Sequence, residues 1–162
     1  MREGTILPAD ITAAIVEQVK GAFPGEAVYT DLVPRDFARP CNMVGLARIA
    51  MEPLACGLSG VELLYQYKIT TFSTVDEVHH SHLPLLDLRA MAVMGAFAGG
   101  FLQVGGRAPK VTEIKADTSL YDCAEVSLAL RLAYDRADFV GPEFHELMQD
   151  LEMQVCMKKE KG

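Results

Sequence analysis

Residues Cys123 to Tyr134 alternate without a break. Ala124, Val126, Leu128, Leu130, Leu132 and Tyr134 fall on one side, and Glu125, Ser127, Ala129, Arg131 and Ala133 on the other. A period of two predicts a strand with one buried face and one wet face. Such a strand cannot exist alone. It needs a pairing strand and a second layer over its apolar side. The stretch Val61 to Thr74 makes the same demand: Val61, Leu63, Tyr65, Tyr67, Ile69 and Thr71 share one face, and the run is rich in aromatic and β-branched residues.

The rest of the chain supplies the partners. Ile11, Ile15, Val19 and Phe23 recur every four residues, with Ala14 and Val16 beside them and Glu17, Gln18 and Lys20 left for solvent. That pattern predicts an amphipathic helix, with Asp10 as its N-cap and Gly21 and Pro24-Gly25 as its stop. Glu26 to Val33 reads as a short strand. Pro34 to Pro40 is a corner, since two prolines exclude both a helix interior and a central strand; Phe37 is expected as an apolar plug that folds back on the core, and Arg35, Asp36 and Arg39 as its charged rim. Cys41 to Met51 is a further strand, apolar on both faces and so expected to be central or capped at one end by a neighbour. With Val61 to Thr74 it forms a long hairpin whose tip, Glu52 to Gly60, should project.

A second helix is expected from Ser81, as its cap, to Ala98. It carries only Asp87 and Arg89 as charges, so it should be mostly buried, with Leu86, Ala90, Val93 and Phe97 on its main stripe and Leu85, Leu88 and Ala92 widening it. A short strand Phe101 to Val104, a turn at Gly105-Gly106 and a strand Val111 to Asp117 follow. Pro142 opens a last helix with Phe144, Leu147, Met148, Leu151 and Val155 on one stripe. The predicted order is α-β-β-β-α-β-β-β-α. It describes an α+β fold: a mainly antiparallel sheet with a long projecting β-hairpin, two helices on one face and a C-terminal helix.

At 162 residues the chain is expected to be one domain, 1–162, with a flexible arm at 1–9 and a frayed tail at 158–162. A net charge of −7 with 15 Lys and Arg argues against a nucleic-acid binder, which needs a basic face. The start, MREGTILPADI, lacks the apolar core of a signal peptide. The most apolar run, Ala90 to Val104, is broken by glycines and falls short of the roughly 18–20 residues that span a bilayer. Cys41, Cys56, Cys123 and Cys156 form no CxxC pair and read as free packed thiols.

The segment AIVEQVKGAFPGEAVYTDLVPRDFARPCNMVGL resembles the opening of the phage tail terminator (tail-completion) proteins of Firmicute-type phages and phage-like elements. The resemblance is carried by Phe23-Pro24, Val28-Tyr29 and, most sharply, Phe37-Ala38-Arg39-Pro40-Cys41-Asn42-Met43-Val44, with Asn42 where an aromatic is usual. The order of elements follows the same plan over nearly the whole chain. The resemblance implies a non-enzymatic virion protein at the head-proximal end of the tail, assembled in the bacterial cytoplasm. As a homohexameric ring it would cap the tail tube protein, stop polymerisation and present a surface to the head-tail connector protein. In a contractile particle it would also meet the sheath protein. DNA would pass through an acidic lumen without specific binding, and no cofactor, metal or membrane is implied. A ring needs unlike patches that meet head to tail. The candidates are the rim Arg35, Asp36 and Arg39, the hairpin tip Leu54, Cys56 and Leu58, and the last helix through Phe144, Leu147 and Leu151.

Chemical readings are weaker. His79, His80 and His82 match no established metal spacing, and His145-Glu146 lacks the second histidine of HExxH. The glycine pairs Gly99-Gly100 and Gly105-Gly106 make no phosphate loop, and Cys41 reads as a packed thiol rather than a nucleophile. A head-tail joining protein of similar fold is the nearest rival reading, and a small soluble enzyme a more distant one.

Overall fold

The computed structural model describes residues 4–30, 35–54, 60–78 and 80–139. The expected C-terminal helix, the hairpin tip with Cys56 and Leu58, and His79 lie outside the described residues. Helix α1 spans Pro8–Ala22, followed by strands β1 (Ala27–Tyr29), β2 (Cys41–Pro53) and β3 (Gly60–Phe72). Then come helix α2 (Leu83–Ala96), β4 (Lys110–Asp117), β5 (Ala124–Asp135) and a single 3₁₀ turn at Arg136–Asp138. The strands form one five-stranded sheet in the order β1-β2-β3-β5-β4. All pairings are antiparallel except β1 with β2, which run parallel with Ala27 opposite Cys41. The fold is therefore α+β with a mainly antiparallel sheet and both helices on one face.

The two alternating runs form the centre. β3 and β5 pair from Gly60 opposite Asp135 to Thr71 opposite Ala124, and their apolar sets form the floor of the core. Ile69, Leu130, Val126 and Ala124 are fully buried. Helix α1 contributes Ile11, Ile15 and Val19, and α2 contributes Leu86, Val93 and Phe97. Tyrosine hydroxyls under the helices also reach the chain start. Tyr134 donates to the Ile6 carbonyl at 3.0 Å and sits 2.7 Å from the Tyr65 hydroxyl, while Tyr67 donates to the Pro8 carbonyl.

Several boundaries differ from the sequence reading, each for a physical reason. Asp10 is the third residue of α1, not its cap. Pro8 takes the first position, where no N–H is needed, and Asp10 accepts from the Leu7 N–H at 2.8 Å. α2 begins after His82, and Ser81 instead donates its hydroxyl to the Asp122 carbonyl. Phe101 to Val104 is not a strand. It makes only isolated bridges, Phe101 with Lys110 and Val104 with Arg107. The second of these closes the expected Gly105-Gly106 turn, where Gly105 has φ +56°. β1 is parallel to β2, with Ala27 to Tyr29 opposite Cys41 to Met43; the end expected for it, at Val33, lies outside the described residues.

β2 is not central. β1 covers its outer edge only as far as Met43, and beyond that the edge has no strand partner among the described residues. A bulge between Leu46 and Arg48 shifts its alternation, so Ile49 and Met51 pair with Tyr65 and Leu63 and share their helix-side face.

Two truncations separate core from surface. Leu128, 1% exposed, changed to Ala should cost about 2–5 kcal/mol in urea unfolding. Leu88→Ala, at a residue 64% exposed, should shift stability by less than about 0.5 kcal/mol.

Candidate functional site

The charged groups inside the fold meet at one point, where the end of α1, the start of β1, β2, β3 and α2 converge. Arg89 on α2 is 8% exposed. Its guanidinium is bidentate on Glu26, with Nη1 to Oε1 at 2.9 Å and Nη2 to Oε2 at 2.5 Å. Nε donates to Thr71 Oγ1 at 2.8 Å, and Nη2 also reaches Asn42 Oδ1 at 3.2 Å. Asn42 Nδ2 closes the ring by donating to Glu26 Oε2 at 3.1 Å. Phe23 lies under the guanidinium, 4.3 Å from ring centroid to Cζ. The planar fork of arginine suits a carboxylate, and every partner here is itself hydrogen-bonded, which is what a buried ion pair needs to be tolerated.

This network was not anticipated, although one signal for it was present: a lone arginine in an otherwise apolar helix must find a partner. It also accounts for Asn42. A phenylalanine ring at that position could neither donate to Glu26 nor accept from Arg89.

The signature corner is a second built unit. Phe37 packs on Phe72 with ring centroids 4.9 Å apart. Arg39 lies over both rings and pairs with Asp122 at 3.0 Å. The Arg39–Pro40 peptide bond is cis. Phe37 is packed, but not on the core as the sequence suggested: Phe72 alternates with the helix-side Thr71, so the pair sits on the sheet face away from the helices, outside the core cluster. Arg35 and Asp36 are exposed beside it. Leu54, 36% exposed, sits at the other end of β2, about 40 Å away for a strand of 13 residues. Arg35, Asp36 and Arg39 thus cluster, Leu54 belongs to a separate end of the molecule, and Phe144, Leu147 and Leu151 lie outside the described residues.

Helix α2 departs from expectation. It is apolar all round, yet its outer side faces solvent: Leu83, Leu88 and Met91 are 43%, 64% and 69% exposed. The inner stripe of Leu86, Ala90, Val93 and Phe97 is buried as expected, with Arg89 added to it. The sheet offers that inner face enough cover, and nothing in the described fold lies above the outer one.

Chemistry finds little purchase here. Among the described residues no three His, Cys, Asp or Glu side chains are grouped to hold a metal. Cys41 and Cys123 are free, and burial is the main force raising both thiols above their usual range. Cys41 is therefore a packed, protonated thiol rather than a thiolate nucleophile. The described helices include none long and apolar enough to cross a membrane.

No family model and no curated protein matches the sequence. Among solved structures, a chain of the virion of a native gene transfer agent (GTA) particle is similar in part. Its identity is 16% and its TM-score 0.44, with 76% of this chain and 93% of that chain covered. A second solved chain, described only by a sequence label, has the same identity and TM-score and covers 82% of this chain and 97% of that one. Likenesses of this size leave the functional argument to the residues themselves.

Two measurements check the site. Arg89→Met leaves the half-buried Glu26 without its counter-charge and with only the Asn42 amide as donor, and should cost about 3–5 kcal/mol, part of which Glu26→Gln should restore in the double variant. In the folded protein at pH 8, iodoacetamide should spare Cys41, with peptide mass mapping as the readout; denaturant should make it reactive.

Proposed function

We propose that this chain is a structural protein of a phage or phage-like particle, and within that class a tail terminator. As a homohexameric ring it caps the tail tube, stops the growth of the tube protein and offers the head connector a surface. In a contractile particle the same ring meets the last sheath ring. The role is an assembly stop and requires no bond chemistry, cofactor or metal. Its place is the head-proximal end of the virion tail.

The observation that carries this reading is the Phe37–Val44 signature. Its residues are used as a unit: packed ring, clamp, turn and entry into β2. Two further features support it. The outer side of α2 is an apolar patch of the kind that a monomer in solution rarely leaves bare. The charged corner and the far end of β2 are unlike surfaces at opposite ends of one strand. Faces that differ in this way suit a ring, because it joins unlike patches head to tail and stacks on a tube by one end only. A head-tail joining protein is the second reading, favoured by the same corner and separated from the first by which surface it binds.

Light scattering on the purified chain, with and without growing tail tubes, tests the reading. The expected result is a hexamer, or a monomer that gathers at one tube end and halts elongation. The double variant Leu88→Glu and Met91→Glu should lose the capping while keeping its melting temperature. A monomer that ignores tubes at every concentration would sink the reading.

A further inference from the structure

The helix side of the sheet is not fully covered. α2 lies over β3, β5 and β4, and α1 over β1 and the start of β2. Beyond them, Leu46, Ile49 and Met51 on β2 are 39%, 44% and 56% exposed, although the bulge has turned Ile49 and Met51 to the core side. An open groove of about 610 Å³ starts there. Its wall is a flank of α1, with Ala9, Thr12, Ala13 and Val16 and, at its C-terminal end, Glu17 and Lys20; its floor is Val44 and Leu46, with Thr30 beside them. The layer thus has two helices and room for a third.

We infer that the occupant is this chain's own segment 142–155, docked as a third helix along the flank of α1. The groove is apolar and needs an amphipathic partner. Phe144, Leu147, Met148, Leu151 and Val155 form such a stripe, with Glu143, Glu146, Asp150 and Glu152 on the other side. The lengths agree: a helix over 142–155 is about 21 Å long, and β2 from Val44 to Met51 covers about 23 Å. The point of departure agrees as well. Phe139 packs on Tyr134 with centroids 5.5 Å apart, and Tyr134 is on the helix-side face, opposite Val61. Val61 in turn faces Pro53 of β2. The chain therefore leaves the described fold on the correct face, about two strand spacings, or 10 Å, from the end of the bare strip.

Other candidates fit less well. Residues 31–34 join Thr30 to Arg35, and so short a link reaches out no more than about 9 Å. It cannot cover Ile49 or Met51, which lie further along β2 than that. A second copy bound by the same strip would leave the stripe of 142–155 without cover. The outer side of α2 is a poorer seat for the segment, because a helix there would touch no sheet and would leave the strip bare.

The inference is independent of the terminator reading, and its test does not involve tubes. A benzoylphenylalanine photo-crosslinker is placed at Ile49, an exposed position, in the full-length chain. A second protein carries it at Lys115, on the far edge of the sheet. Each is mixed with ¹⁵N-labelled chains of the same kind before illumination. The expected product joins residue 49 to a peptide within 142–155, only in same-isotope pairs, and the probe at 115 captures no such peptide. Mixed-isotope pairs would assign the strip to a second copy. Capture of any other peptide, or of none, would overturn the inference outright.

Discussion

A buried arginine holds this fold in register. Arg89 is the one charge on α2 that points into the core, and its partners come from four other parts of the chain: Glu26 after the first helix, Asn42 on β2, Thr71 on β3 and the Phe23 ring. Apolar packing alone would let α2 slide along the sheet at little cost, since its faces are chemically alike. A bidentate pair with fixed geometry does not allow that. The pair is worth more as a locator than as a source of stability, because desolvating both charges offsets much of their attraction. It also ties the α1–β1 break to the strand that carries the corner, so the signature segment and the second helix are positioned by a single contact.

How much of this the sequence discloses depends on the range of the interaction. The strands β3 and β5 are legible because alternation is local, and their apolar faces are buried as the pattern requires. α1 is legible for the same reason, down to its buried Ile11, Ile15 and Val19. The parallel pairing of β1 is not, since strand direction is set by the connection rather than by either strand. The bulge in β2 is also hidden: Ala47 is small enough to suit either face, so the change of phase that redirects Ile49 and Met51 leaves no mark on the pattern. For α2 the composition was misleading. An apolar helix reads as buried, but a two-layer domain covers only its inner half.

The candidate site was legible in part. The corner could be found because proline, an aromatic and arginine recur there in a recognisable order, and the structure uses each of them. The Glu26–Arg89 network could not, because its charged members lie 63 residues apart and neither is unusual in its own neighbourhood. Of the interface residues proposed on the hairpin, Leu54 lies far from the rim of Arg35, Asp36 and Arg39, so these describe two surfaces rather than one.

Two strands that present an open edge, β2 beyond Met43 and the outermost β4, pair irregularly. β2, where it lies open, carries a bulge between Leu46 and Arg48, and β4 carries one between Val111 and Glu113. Each irregularity spoils the ladder that an incoming strand would have to match. β4 adds alternating charges in Lys110, Glu113, Lys115 and Asp117. Unlimited growth by strand addition is therefore discouraged at both margins.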